Sequence, residues 1–281
     1  MQVQGTGCMR LFLLLVAGCS IAASAQPPNV KELVRRSVHA IEADWQQAPG
    51  YSYQEHDVIS KRRGRPVVET YQVVMIDGSP YKRMLAINDH PLAAGELADE
   101  DRKMRAETNK RLHESKRERA RRVAKYERER RHDHAMLMDM LDVFDFRLRG
   151  EENVDGHDCW ALEASPKPGF EPRNRETKVL AGMRGWLWID KNTNQWVRVQ
   201  AEVFKPVSFF GFVAKVGPGT KFLLEQEPVA ENVWLPKRFS VQVQASALGF
   251  FDESSTDDET YADYRPIGGA SAALPKGRAG Q

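Results

Sequence analysis

The strongest structural signal in the sequence is a succession of strand-like segments joined by short turns. The dipeptides Asp77-Gly78 and Asp155-Gly156 each separate two segments of alternating apolar and polar residues, which is the pattern of a tight β-hairpin. Hairpins join neighbouring strands in the antiparallel sense, so the chain predicts a meandering sheet. The predicted strands cover residues 51–60, 67–76, 81–87, 144–150, 159–164, 184–190, 196–203, 209–216, 220–227, 233–247 and 259–265.

The alternation along these strands gives the predicted sheet one apolar face and one polar face. A long antiparallel sheet twists and curls instead of lying flat. We therefore predict an α+β fold that is mainly β, built as an antiparallel, strongly curved, open half β-barrel over residues 29–267. The last residues, 268–281, have the composition of a disordered tail.

An amphipathic helix is predicted before the first strand. Asn29 and Glu32 form a start that resembles a capping box, and the helix is expected to stop before Pro49-Gly50. Its apolar residues fall at helical spacing on one stripe: Val30, Leu33, Val34, Val38, Ile41 and Trp45. A helix with one apolar stripe must bury it against another surface, so we expect this helix to cover the concave face of the sheet.

The strand pattern is interrupted over residues 94–142 by a segment without proline and dense in charged residues. It predicts one long helix or two, mostly solvated, with apolar packing only near Met136 to Leu141. Because the segment has no apolar face of its own, we interpret it as a helical insertion and not as a separate domain. Its basic run, KRERARRVAKYERERR, contains glutamates at helical spacing, which indicates surface ion pairs. Contact with anionic lipid head groups or an acidic partner is the minor alternative.

The N-terminus has the pattern of a secretory signal peptide at residues 1–25. Arg10 precedes a short apolar run that ends in small residues. Cleavage after Ala23-Ser24-Ala25 would release a soluble periplasmic protein, and it is favoured because the apolar run continues to this site. The alternative is a lipobox at residues 16–19, which would leave Cys19 as the lipidated N-terminus of a membrane-anchored lipoprotein. Both interpretations place the protein in a bacterial envelope.

The cysteines and the net charge exclude some structural features and some partners. Cys8 and Cys19 are removed or lipidated in either case, which leaves Cys159 alone in the folded part and predicts no disulfide there. A formal net charge of +2 and the secretion signal both argue against nucleic acid as a partner. A chain of 281 residues can bury a sufficient core unaided, and we expect a monomer.

Motifs for catalysis or metal binding do not occur in the sequence. The patterns Gly-x-Ser-x-Gly, Gly-x-x-x-x-Gly-Lys and His-Glu-x-x-His are all missing. His132 and His134 lie two positions apart on a predicted helix and point in different directions, unlike an i, i+4 metal pair. We predict a non-catalytic protein without metal or cofactor, with these histidines on a solvated helix end.

One hairpin, GWLWIDKNTNQWVRVQAEV at residues 185–203, has three tryptophans and little polar surface on its first strand. Alternation places Trp186 and Trp188 on one face of that strand and Leu187 and Ile189 on the other. In the second strand, alternation places Val197, Val199, Ala201 and Val203 on one face and Trp196, Arg198, Gln200 and Glu202 on the other. A strand that is apolar on both faces must be covered on both, by core on one side and by a ligand or partner on the other. Ordinary packing at the rim of a curled sheet is the alternative.

Three motifs resemble the LolA-like group of periplasmic outer-membrane lipoprotein carriers and sorting proteins, together with relatives in envelope stress sensing. They are Asp155-Gly156 before a strand, Leu187-Trp188-Ile189-Asp190 before a polar turn, and Trp234-Leu235-Pro236. The resemblance extends to the order of elements from Asn29 to Ile267. It implies an incomplete antiparallel barrel, its mouth covered by helices, with a hydrophobic cavity for acyl chains. The charged insertion is longer than in the simplest carriers.

The resemblance implies a protein that binds lipoprotein acyl chains or another hydrophobic ligand, in the manner of a sorting, chaperone or transport protein of the outer membrane. The candidate cavity residues are Trp186, Trp188, Phe209, Phe210, Phe212, Phe222, Val241 and Val243. The candidate lid residues are Leu33, Val34 and Ile41 on the N-terminal helix and Met136 and Leu137 on the insertion. The alternative is an interaction or stress-sensing protein of the same fold that docks an envelope protein through the charged helix.

Overall fold

The computed structural model describes residues 27–61, 64–209, 214–247 and 251–267. The predicted signal peptide, Cys19 and the predicted tail at 268–281 lie outside these residues. The helices are α1 (Val30–Gln47), α2 (Ala94–Leu112), α3 (Lys116–Val143) and α4 (Arg175–Leu180), with a 3₁₀ turn at Ala48–Gly50. The strands are β1 (Tyr51–Lys61), β2 (Val67–Ile76), β3 (Ser79–Ile87), β4 (His90–Pro91), β5 (Phe144–Val154), β6 (His157–Pro166), β7 (Met183–Asp190), β8 (Trp196–Val203), β9 (Val207–Phe209), β10 (Ala214–Val216), β11 (Lys221–Ala230), β12 (Val233–Ala247) and β13 (Phe251–Pro266).

The strands of the described chain form one antiparallel sheet. Its order is β4-β3-β2-β1-β13-β12-β11-β8-β7-β6-β5, and the small β9–β10 hairpin branches off because β10 pairs with the end of β12. The edges, β4 and β5, do not pair with each other among the described residues, so the sheet is curved and open. The predicted fold class, an open antiparallel half-barrel with helices, is confirmed.

The sheet departs from a simple meander where its first strand meets its last. β1 pairs along nearly its whole length with β13, from Tyr51 opposite Pro266 to Lys61 opposite Ser255. The first strands therefore extend the sheet beyond the last one. Hairpin signals specify only pairs that are close in sequence, so this pairing does not follow from them.

The helical insertion connects the two edges of the sheet. α2 follows the edge strand β4, and α3 leads directly into the opposite edge strand β5. The chain must therefore cross the open side of the half-barrel between them. The 28 residues of α3 span about 42 Å at 1.5 Å per residue. We call α3 the strap helix.

The first turns of the strap helix are fixed to the turn between β2 and β3. Asp77 and Gly78 have φ values of 46° and 87°, as expected for the predicted Asp-Gly hairpin. Arg119 forms a two-point ion pair with the Asp77 carboxylate at 2.7 and 2.9 Å. The Nη1 of Arg122 donates to the Ser79 hydroxyl at 2.7 Å. These contacts hold one end of the strap at a defined place on the rim.

The end of α2 is also fixed there, although the sequence predicted a mostly solvated segment. Arg111 is buried, and its guanidinium donates to the carbonyl oxygens of Ile76 and Ser79 at 2.9 and 2.8 Å. Buried guanidinium groups need several acceptors, and the exposed end of the β2–β3 hairpin supplies them. Hydrophobic periodicity reveals only apolar contacts, so the sequence did not predict that Arg111 forms hydrogen bonds with the β2–β3 hairpin.

The N-terminal helix covers the inner face of the sheet, as predicted. Asn29 Oδ1 accepts the backbone N–H of Glu32 at 3.2 Å and begins the helix. The core between α1 and the sheet contains Leu33, Val34, Val38 and Ile41 from the helix and Leu162, Leu187, Ile189 and Trp196 from the strands. Each such aliphatic side chain contributes about 1.5–3 kcal/mol when buried, so α1 is part of the main core.

The tryptophan hairpin is covered on both faces. Leu187 and Ile189 lie on the inner face, against α1. Trp188 lies on the outer face in a second cluster with Val154 and Trp234. Packing within the protein therefore accounts for Trp188 without a ligand.

A β-bulge changes the predicted faces of β8. Ile189 is opposite Trp196 and Trp188 is opposite Arg198, so two residues of β8 span one step of β7. Trp196 consequently turns to the inner face, where its Nε1 donates to the hydroxyl of Ser37 at 2.9 Å. The prediction that Val197 and Val199 share a face is wrong, because strict alternation does not hold across a bulge.

Candidate ligand cavity between the strap helix and the sheet

A cavity of about 410 Å³ lies on the inner face of the sheet. The end of the strap helix and α4 form its roof, and β7, β8, β11 and β12 form most of its wall. The apolar lining residues are Leu137, Met140, Phe144, Ala164, Val179, Leu180, Met183, Trp186, Leu187, Trp196, Val199, Ala201, Phe222, Leu223, Leu224 and Phe239, and the remaining ones are Glu176, Arg184, Gly185 and Gln200. Apolar cavities of this size are typical of small-molecule sites.

Small residues standing side by side on the wall leave room for this cavity. Ala164, Gly185 and Ala201 are cross-strand partners on β6, β7 and β8, and such partners share a face. A Cβ at Gly185 would lie 2.0 Å from the backbone oxygen of Gln200, so the strands approach too closely there for any other residue. Phe222, the partner of Ala201 on β11, bounds the depression.

The roof consists of apolar side chains from two helices. Leu137 and Met140 project from the strap helix, and α4 contributes its last residues. α4 is held by a reciprocal cap, in which Asn174 Oδ1 accepts the N–H of Thr177 at 2.7 Å and Thr177 Oγ1 accepts the N–H of Asn174 at 3.1 Å. The roof is therefore made of short, locally stabilised segments.

Some predicted site residues line the cavity, and others lie elsewhere. Leu137, Trp186 and Phe222 line it. Trp188 is on the outer face, where its Nε1 donates to the Glu152 carboxylate at 2.9 Å.

Two further candidates are beside the cavity. Val241 is the cross-strand partner of Phe222 and therefore shares the inner face. Val243 follows two residues later on the same strand, at the same parity. Neither residue belongs to the lining.

Of the predicted lid residues, too, some line the cavity and others lie elsewhere. Leu33, Val34 and Ile41 are buried between α1 and the sheet and do not line the cavity. Phe210 and Phe212 lie outside the described residues, and so do the side chains of Phe209 and Met136. The strap helix and α4, not α1, stand between the cavity and the outside.

Sequence reasoning missed α4 and, apart from Phe222, the wall residues from β11 and β12. α4 has only six residues, too few to show a helical period, although Asn174 and Thr177 at cap spacing were a readable signal. Leu224 and Phe239 are partners on β11 and β12. Their alternation predicted an apolar face, but only the strand order shows that they meet the small residues of β7 and β8.

The inner wall changes from apolar to acidic between β12 and β13. Phe239 faces Glu259 of β13, which in turn faces Asp57 of β1. Burial, with the nearby Glu55 carboxylate adding to it, raises the pKa of Asp57 to about 7. The Lys82 ammonium contacts Glu55 and is the cation that the structure places beside these carboxylates.

A larger hollow of about 700 Å³ lies on the outer face, across β6, β7, β8, β11 and β12. Its rim carries charged side chains that are already paired, such as Arg238 with Asp258 at 2.6 Å. Trp186 contributes to it as well. The inner cavity is the smaller and far more apolar of the two, so it is the better candidate for an apolar ligand.

The histidine prediction needs a correction at His134. Its ring is buried and stacks on Trp45 with centroids 4.5 Å apart, and it contacts the Glu42 carboxylate. The apolar α1 surface, which the sequence did not place next to this helix, explains the difference. In the described part of the chain, no three His, Cys, Asp or Glu side chains are grouped so that they could hold a metal.

The fold and cavity define an open antiparallel half-barrel with an apolar chamber under helices. Among the described helices, none has the length and hydrophobicity needed to span a bilayer. No protein-family model matches the sequence, and no curated protein matches it either.

Solved structures with similar folds were found. A DUF1329 family protein from Desulfovibrio piger is 16% identical over 87% of this chain and 96% of its own, with a TM-score of 0.36. An outer-membrane lipoprotein-sorting protein domain from Vibrio parahaemolyticus is 10% identical over 85% and 95%, also with a TM-score of 0.36. A LolA superfamily protein from Nitrosomonas europaea is 9% identical over 85% and 94%, with a TM-score of 0.35. A lipoprotein-sorting protein domain and a LolA superfamily protein are thus among the structural matches.

Proposed function

We propose that this protein is a secreted bacterial envelope protein that binds the acyl chains of a lipoprotein, or a similar hydrophobic ligand, without catalysis. The cavity under the strap helix carries the proposal, because nearly all of its lining is apolar. The secretory pattern of residues 1–25 supports the periplasm as its location. Transfer of about eight methylenes from water into the cavity would contribute about 6 kcal/mol to binding.

The roof, and not the N-terminal helix, is the part that must move for loading. Opening α1 would expose the main core, since its stripe is buried against the strands. The strap helix is fixed at its start by Arg119 and Arg122. The end of the strap, near Leu137 and Met140, and the short α4 therefore form the lid.

The acidic wall predicts which head group the ligand carries. Glu259 and Asp57 continue the inner face directly beyond Phe239. An anionic head group held there would meet like charges at short range, which costs binding energy. We expect an uncharged or cationic head, as in an acylated peptide, to be preferred over the carboxylate of a free fatty acid.

A fluorescent dye displacement assay tests this proposal on the mature protein. The environment-sensitive dye N-phenyl-1-naphthylamine should bind, and a diacylated lipopeptide should displace it. Dodecanol should displace it at lower concentration than dodecanoate, which has the same chain length and a negative head. Failure of the dye to bind to folded protein would contradict the proposal.

A matched pair of variants locates the binding. Ala201→Phe places a ring into the cavity, whereas Glu202→Phe places the same ring on the outer face one residue later, at a position that does not line the cavity. If the new ring displaces about three methylenes of ligand, binding to Ala201→Phe should weaken by about 2.4 kcal/mol, roughly fiftyfold. Glu202→Phe should bind normally, and equal losses in both variants would place the ligand elsewhere.

The alternative function is the docking of a protein partner on the insertion, and deleting residues 96–133 would not separate it from ligand binding. Such a deletion removes most of the strap helix and leaves the roof residues Leu137 and Met140 without their helix. It would therefore disrupt the cavity and the docking surface together. Point variants on the solvent side of the strap separate the two.

A further inference from the structure

The strap helix has two surfaces that differ in their partners. Its inner side is occupied: Arg119 and Arg122 bind the β2–β3 turn, Arg130 lies 4.3 Å over the ring of Trp45, and Leu137 roofs the cavity. The side facing away from the sheet carries further basic residues. These are not needed to hold the strap in place.

The outward basic residues form one line. Arg117, Arg121, Lys125 and Arg128 fall within an arc of roughly 80° at 100° per residue and extend over about 17 Å. All four are exposed. Lys125 has one loose ion pair, 3.8 Å from Glu129, and no carboxylate of the described residues lies within ion-pair distance of the three arginines. We call these four residues the basic stripe.

The basic stripe is specific to the strap helix and is not a general property of the insertion. Residues 116–131 contain nine basic and three acidic residues, a net charge of +6, whereas α2 contains five of each. Three of the four exposed bases of α2 are paired with acids of their own helix, as in Lys103 with Glu100 at 2.6 Å and Lys110 with Glu107 at 3.2 Å, and Arg105 is the exception among the described ion pairs. The unpaired charge is therefore concentrated on the helix that roofs the cavity.

We propose that the basic stripe docks the protein on an anionic phospholipid surface. The stripe offers guanidinium groups, which suit lipid phosphates. Between its bases stand alanines, such as Ala120 and Ala124, and not the aromatic anchors typical of a protein interface. Leu112, the last residue of α2, is 69% exposed, so a large apolar side chain also lies on the surface near the start of the strap.

This docking goes beyond the proposed function, because the cavity would bind its ligand without it. It would bring the cavity roof, which is part of the same helix, close to the membrane from which an acyl chain is taken or to which it is given. Such a contact is electrostatic and therefore weak, reversible and sensitive to salt.

Vesicle flotation of the mature protein tests the docking. The protein should bind vesicles that contain phosphatidylglycerol, should not bind vesicles of phosphatidylcholine alone, and should be released by high salt. Each basic residue contributes roughly a fivefold change in partitioning. The triple variant Arg117→Gln, Arg121→Gln, Arg128→Gln should therefore bind about a hundredfold less.

A charge-matched variant of α2 serves as the control. Arg102→Gln, Lys103→Gln, Lys110→Gln removes the same number of exposed charges, all of them already paired within α2, and should retain vesicle binding. Equal losses in both triple variants, or no binding of the wild type to anionic vesicles, would overturn the docking. So would equally tight binding to soluble polyglutamate, which would assign the stripe to an acidic protein.

Dye uptake measured without vesicles keeps the two proposals apart. The stripe variant should take up N-phenyl-1-naphthylamine as the wild type does, which also shows that it is folded. A wild type that binds anionic vesicles but no dye would refute the cavity function and leave the docking standing.

Discussion

Asp44 is a carboxylate buried between α1 and the start of β12, and its replacement by asparagine should stabilise the protein at neutral pH. The side chain is 2% exposed. Its Oδ1 accepts the backbone N–H of Trp234 at 3.1 Å, while its Oδ2 has no hydrogen-bond partner among the described residues. The nearby side chain of Gln195 lowers the pKa of Asp44, and its Oε1 is a buried acceptor without a donor in that part of the chain.

The magnitude follows from the shift in the pKa of Asp44. Burial raises this pKa to about 6 from its ordinary value of 3.8, against the hydrogen bonds from Trp234 and Gln195, which lower it. Between these two values the folded protein keeps a proton that the unfolded chain has released. Stability is therefore lost as the pH rises from about 4 to 6, by about 3 kcal/mol in total. The neutral side chain of Asp44→Asn removes this loss and keeps the acceptor for Trp234.

Urea unfolding of the wild type and of Asp44→Asn at pH 5 and pH 7 measures the effect. The free energy of unfolding of the variant should exceed that of the wild type by about 2–3 kcal/mol at pH 7 and by less at pH 5. Asp145→Asn, which changes an exposed carboxylate on β5, is the control. Its free energy of unfolding should change between pH 5 and pH 7 by the same amount as that of the wild type. A variant that is less stable than the wild type at pH 7 would show that the Asp44 carboxylate is a favourable charge, contrary to this reasoning.

Two further predictions concern Arg122, which binds the strap helix to the β2–β3 turn, and the free cysteine Cys159. Arg122→Gln removes the donors to the Glu114 carboxylate and to the Asp77 carbonyl oxygen, whereas the Ser79 hydroxyl keeps its contact with Arg111. The change should lower the unfolding free energy by about 2–3 kcal/mol, since it leaves partly buried acceptors unpaired; an unchanged urea midpoint would show that the contacts of Arg122 do not stabilise the fold. Burial raises the pKa of the Cys159 thiol to about 12, so the folded protein should not react with Ellman's reagent at pH 8 although it reacts in urea. Rapid reaction of the folded protein would show that β6 opens readily.

Most of the sheet could be predicted from the sequence, because its turns are local. Asp155 and Gly156 adopt the left-handed conformations that an Asp-Gly hairpin requires, with φ values of 51° and 89°. The Leu187–Asp190 motif has a similarly local cause: Asp190 Oδ1 accepts the N–H groups of Asn192 and Thr193 at 2.9 and 2.7 Å, which shapes the turn into β8. Such interactions act within a few residues and are visible in one sequence.

The cavity could be predicted only in part, because it depends on long-range register. The alternation of β7 and β8 identified apolar faces, but a one-residue bulge at Trp196 reassigned them. Phe222, a candidate from the sequence, lines the cavity, whereas the row of Ala164, Gly185 and Ala201 becomes apparent only when β6, β7 and β8 are aligned. Small residues give no signal of their own in a hydrophobic pattern.

The insertion shows why a strongly charged helix can still occupy a defined position in this fold. Exposed ion pairs within a helix contribute little each, so the pairs along α2 and α3 cannot fix the strap. Its position comes from the contacts of its inner side. Arg119 and Arg122 bind the β2–β3 turn, Arg130 lies over the ring of Trp45, and Leu137 and Met140 make apolar contacts. The residues on the outward side of the strap helix are not needed to hold it in place, so the net positive charge there can vary without loss of the fold. A stripe of unpaired bases on that side is therefore better explained by an external anionic surface than by the stability of the protein.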